Sequence, residues 1–166
     1  MPRTYRIRLA LVVIAALALA LPIATLAHER REVADGQYQF VVGFIEEPAF
    51  VGEKNGLSLR ITKPGGPEAT PTAEGEEARI PIEGLETTLT AEVIYGDQSM
   101  DLPLQPAFRD PGLYVSHFFP MAEGDYSFHI AGEIEGVAVD ETFTSSPDGF
   151  DSVQAREPLE FPKDED

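Results

Sequence analysis

Apolar and polar residues alternate along much of this chain in short runs, and Gly, Pro, Asn and Asp stand between the runs. That spacing constrains the fold more than any other feature. A period of two turns one face of an extended strand toward a core and the other toward water. Leu57-Ser-Leu-Arg-Ile-Thr62 is the cleanest example, with Asn55-Gly56 ahead of it as a turn signal. The same reasoning marks Tyr38–Ile45, Leu85–Tyr95, Met100–Leu104, Leu113–Phe119, Tyr126–Ile134 and Val137–Thr144 as strands. Pro103 points to an edge position for its strand, and Glu135-Gly136 reads as a two-residue hairpin loop. No run after residue 27 has helical spacing.

Seven strands within about one hundred residues, separated by turn signals, predict an all-β fold. The expected architecture is a seven-stranded antiparallel immunoglobulin-like β-sandwich following an N-terminal signal helix. Gly124-Asp125-Tyr126 opens the penultimate strand where a tyrosine corner stands, a phenol bonding back to nearby backbone; the other reading is an ordinary core aromatic.

The flanks lack this alternation. Arg3, Arg6 and Arg8 precede the apolar run Leu9–Leu21, Pro22 breaks it, and Ala24-Thr-Leu-Ala27 offers small residues at a cleavage position. Residues 1–27 therefore read as a secretory signal peptide, or else as an uncleaved anchor, since Leu9–Ala27 nearly spans a bilayer. The sandwich is expected over 28–144, with residues 28–36 as a polar lead-in. A flexible loop is expected at 63–83, where Pro64, Gly65, Gly66, Pro67, Pro71 and Gly75 leave no period. Residues 145–166 read as an acidic, loosely ordered tail.

Charge sharpens this division. The chain carries 12 Lys and Arg against 29 Asp and Glu, a formal charge of -17. Without residues 1–27 the remaining 139 keep nine basic against 29 acidic side chains, a balance of -20. Such a surface excludes a nucleic-acid partner, which needs clustered Lys and Arg. The acidic surplus reads as a solvating surface. Asp148-Gly-Phe-Asp151 lacks the spacing of a calcium loop. The absence of Cys excludes disulfides, a thiol nucleophile, N-terminal Cys lipidation and thiolate metal sites. The sequence contains no Gly-x-Ser-x-Gly, His-Glu-x-x-His or phosphate-cradling loop, so the chain is expected not to be an enzyme.

The three histidines are the candidate metal ligands: His28, His117 and His129. Cleavage after Ala27 makes His28 the first residue, and its α-amine and ring nitrogen then form a chelate suited to Cu(II). His117 or His129, with Glu29, Glu46 or Glu47, would complete such a site. The alternative is that both strand histidines are surface or half-buried side chains, His129 facing outward and His117 sharing a face with Val115 and Phe119.

Glu47-Pro-Ala-Phe-Val-Gly-Glu-Lys-Asn-Gly-Leu-Ser-Leu-Arg-Ile61, Pro111-Gly-Leu-Tyr114 and Met121-Ala-Glu-Gly-Asp-Tyr-Ser-Phe128 resemble strand starts of small exported immunoglobulin-like domains of the YtkA, FixH and CopC type. Gly132-Glu-Ile-Glu-Gly-Val-Ala-Val-Asp140 is similar to their last hairpin, so the resemblance covers about residues 45–144. It implies an envelope protein with a copper-associated role in some members. CopC-like members ligate Cu(II) through a mature N-terminal His, which His28 matches. Their late Asp-x-His has no counterpart here, where Val139-Asp-Glu-Thr142 holds no His.

The expectation is therefore an exported, non-catalytic binding domain, periplasmic, extracellular or on the outer face of the cell membrane. Its partner is Cu(II) taken through His28; the alternative is a metal-free structural or protein-interaction module meeting an envelope protein. Membrane contact would come only through an uncleaved leader.

Overall fold

The computed structural model describes residues 28–66, 78–145 and 149–162. The predicted leader, the centre of the 63–83 loop and the last four residues lie outside the described residues. The described chain is all-β, with two antiparallel sheets packed as a sandwich. Among these residues no helix is long and apolar enough to cross a membrane.

The strands are β1 (Glu29–Val33), β2 (Tyr38–Phe44), β3 (Asn55–Pro64), β4 (Arg79–Pro81), β5 (Leu89–Tyr95), β6 (Gln98–Asp101), β7 (Gln105–Pro106), β8 (Leu113–Phe118), β9 (Ser127–Ile134) and β10 (Val137–Thr144). The first sheet runs β1-β2-β3-β8-β7, with β4 continuing the β8 side of β3. The second runs β10-β9-β5-β6. Alternating residues meet between the layers: Phe40, Val42, Phe44, Leu57, Leu59 and Ile61 from the first, Phe128, Ile130, Ile134 and Phe143 from the second, all fully buried. Phe44 sits amid an aromatic cluster, with the Phe118, Tyr126, Phe128 and Phe150 rings 5.5–6.2 Å away. Burying one such ring stabilises by about 1.5–3 kcal/mol. The Tyr126 phenol donates to the Ala122 carbonyl at 3.1 Å and accepts from the Ala122 N–H at 3.2 Å, the geometry of a tyrosine corner.

Ten strands are described where alternation predicts seven, and the three additions are β1, β4 and β7. β1 escapes the pattern because two of its three inward positions are Glu29 and Arg31, which leaves Val33 as the lone apolar one. The two charged side chains seal one edge of the sandwich against β10. Arg31 Nη1 donates to Glu141 Oε2 at 2.9 Å and to the Thr142 carbonyl at 3.0 Å, and its guanidinium lies 4.1 Å from the Phe143 ring centre. β4 falls inside the expected loop and is built by ladder bonds to β3, for which Arg79-Ile-Pro81 offers no alternation. Residues Leu85–Thr87, expected as strand, form a 3-10 turn that buries Leu85. β6 starts at Gln98, earlier than expected, and is an edge strand.

The expected loose tail is corrected over 149–154. Phe150 and Val153 are buried, the Phe150 ring stacks 5.2 Å from that of Phe128, and Val153 exchanges two 3.0 Å backbone bonds with Gly124. Gln154 bonds the backbone of Ala49 and Val51 in a parallel bridge opposite Phe50. Two isolated apolar side chains and four backbone bonds dock this strap, and neither leaves a periodicity to detect.

Candidate functional site

The structure distributes the three histidines. His28 lies just before β1 and is half-buried; His117 is exposed on the outer face of β8; His129 is half-buried on the outer face of β9. Between β1 and β8 stand β2 and β3, which at about 4.8 Å per strand separates His28 from His117 by roughly 14 Å. His129 belongs to the other sheet. No joint three-histidine site forms, and among the described residues no group of three or more His, Asp or Glu is placed to hold a metal ion.

His28 nevertheless has a specific setting. Among the described residues β1 pairs with β2 only as far as Glu29 opposite Val42, short of Phe44. The N–H and C=O of an extended residue point to the same side of the strand. Two side chains serve this unpaired peptide unit. Glu47, folding back from the turn after β2, accepts the Phe44 N–H through Oε1 at 3.0 Å. The His28 ring donates toward the Phe44 carbonyl, the backbone contact that works to raise its pKa. Of the three carboxylates open in the sequence, Glu29 is held by Arg31, Glu46 is exposed, and Glu47 shares Phe44 with His28.

Electrostatics follow from burial. Desolvation lowers the pKa of His28, with the Phe44 hydrogen bond working against it. Desolvation pushes the Glu47 carboxyl up to about 7, opposed by the Phe44 N–H and assisted by Asp151. Asp151 is carried toward it by the strap, which Gln154 ties to the Ala49 and Val51 backbone. The second oxygen of Glu47, Oε2, is buried without a hydrogen-bond partner. This corner therefore combines a neutral imidazole with a carboxyl that has an uncommitted oxygen.

His129 is set differently. Its Nδ1 lies 2.9 Å from Glu92 Oε1 and its Nε2 lies 2.7 Å from Asp140 Oδ1, so both ring nitrogens are engaged. These carboxylates hold its pKa above the ordinary value, Asp140 first and Glu92 second, against a smaller lowering by burial. Alternation predicts that His129 faces outward, but the partners depend on register. Glu92 is directly opposite His129, whereas Asp140 is opposite Ala131 and reaches the ring diagonally.

No family model matches the chain, and comparison with curated proteins and with solved structures finds no match. The class defined by the fold alone is an all-β sandwich of two antiparallel sheets.

Proposed function

We propose that this chain is an exported immunoglobulin-like sandwich acting as a non-catalytic binding module of the cell envelope, and that it takes Cu(II) at the start of β1. The observation carrying this reading is the convergence of His28 and Glu47 on the Phe44 peptide, with Glu47 Oε2 left unpartnered. If the leader is cut after Ala27, His28 adds its α-amine to its ring nitrogen, and Glu47 adds an oxygen. Two nitrogens and a carboxylate suit Cu(II). Burial favours the neutral ring, the form that ligates, and the bond to Phe44 orients the imidazole from its other side. Tyr126 and the alternating strands β2, β3, β5, β6, β8, β9 and β10 support the seven-strand immunoglobulin-like description, with β1, β4 and β7 as additions. The YtkA, FixH and CopC resemblance belongs to the same proposal.

The test is EPR of Cu(II) added to protein whose first residue is verified as His28 by mass spectrometry. Nitrogen and oxygen ligation is expected, lost in His28→Ala and in protein with one extra residue before His28, and weakened in Glu47→Gln. Equal binding by those two altered N-termini overturns the copper reading.

A metal-free interaction module is the second reading, and the connection after β8 favours it. Phe119 and Met121 are 57% and 73% exposed on either side of Pro120, apolar surface of the kind that protein partners cover. Capture of a specific envelope protein that persists without copper and is lost on replacing both side chains by Ser supports this reading; capture unaffected by the replacement removes it.

A further inference from the structure

We propose that His129 is a pH-operated clip on the outer face of the second sheet: as an imidazolium it ties Glu92 of β5 to Asp140 of β10 across β9, and on losing a proton it releases one of them. The geometry itself requires the proton. Ionised carboxylates only accept hydrogen bonds, and a neutral imidazole has one N–H to donate. Bonds at 2.9 Å and 2.7 Å from opposite ring nitrogens to two carboxylates therefore need both nitrogens protonated.

The arm that opens is Asp140. Its side chain is 82% exposed, so water replaces the ring readily, whereas Glu92 is 31% exposed and directly opposite His129. The surroundings offer the ring no competing cation. β5, β6, β9 and β10 contain no Lys or Arg. The acids on the outer face are Glu92 on β5, Asp101 opposite it on β6, Glu133 on β9 itself and Asp140 on β10. Glu141 of β10 is turned to Arg31 on the other sheet. Thr142, directly opposite His129 on β10, does not titrate in this range. Protonation thus bridges three strands and neutralises part of an otherwise wholly acidic face; deprotonation frees Asp140 and leaves that face without a cation. The raised pKa keeps the bridged form populated to higher pH than an ordinary histidine would.

Nitrogen-15 NMR of the histidine rings across a pH titration tests this, with the signals assigned by His129→Gln. The His129 midpoint is expected above the ordinary value of about 6.5, with both ring nitrogens protonated below it. Asp140→Asn lowers the midpoint most, Glu92→Gln lowers it less, and the double variant brings it to or below the ordinary value. Amide exchange in β10 speeds up as the wild-type protein crosses its midpoint, and His129→Gln lacks that step. A wild-type midpoint at or below the ordinary value, or one unmoved by both carboxylate substitutions, overturns the clip. Because His129 stands on the outer face of the other sheet from His28, copper binding can fail while the clip stands, and the reverse.

Discussion

His28 and His129 sit in one sandwich and are driven in opposite directions. At the start of β1 the protein withdraws water from His28 and Glu47 and returns little, so both groups favour their neutral forms. On the outer face of β9 water stays and two carboxylates converge, so His129 favours its charged form. The residue type is the same; the balance between lost solvation and gained partners differs. A neutral imidazole next to an uncommitted oxygen can accept a ligand, while an imidazolium held at both nitrogens can only hold or release a proton.

The comparison breaks most visibly at Phe150, which docks the strap over the Glu47 corner but does not touch the clip. Phe150→Ala is expected to lower unfolding free energy by about 3–5 kcal/mol, since its fully buried ring leaves a cavity beside Phe44 and Phe128. Carbon-13 NMR should then find Glu47 titrating below about 7, toward an ordinary carboxyl, with the His129 midpoint unmoved. A loss below about 1 kcal/mol by denaturant titration would mean that the strap is not part of the cooperative fold.

Glu47→Gln probes the corner alone. A carboxyl whose folded pKa is raised binds its proton more tightly in the folded state, so the stability it contributes is present at acid pH and declines from about 4.5 through about 7. Replacing it should leave stability near pH 4 little changed and raise it near pH 8 by about 1–2 kcal/mol, a figure reduced for the half-exposed side chain. Equal urea midpoints for variant and parent near pH 8 would show that Glu47 ionises without penalty.

His129→Gln has the smallest expected effect, and it shows at acid rather than alkaline pH. A raised histidine pKa contributes stability fully below the unfolded value of about 6.5 and loses it as pH rises through the folded value. For this solvent-reached group the loss is below about 1 kcal/mol at acid pH and vanishes at alkaline pH. A thermal-melt difference that persisted above the midpoint would point to lost packing instead.

Alternation made seven of the ten strands legible, because inward apolar residues such as Leu57, Leu59 and Ile61 leave a period of two. β1 was not legible: Glu29 and Arg31 occupy two of its three inward positions, and only the arrival of Glu141 and Phe143 from β10 makes that arrangement favourable. The strap was equally silent, since Phe150 and Val153 are isolated apolar residues in an acidic stretch. At the candidate site, Glu47 could be named among nearby carboxylates, but its selection over Glu29 and Glu46 required knowing where the β1 ladder ends. Outward Glu92, His129 and Asp140 could each be inferred from strand parity, while their meeting could not.

The sequence by itself determined the all-β class, the turns between the longer strands, the acidic surface and the absence of thiol chemistry, because each follows from residue type and local spacing. Tertiary structure alone decided which strands neighbour one another and in what register. That choice minimises the apolar surface left to water across both sheets at once, so no local segment encodes it. It separated the three histidines, set Glu47 on the Phe44 N–H, and turned His129 from an ordinary strand residue into a bridge between two acids.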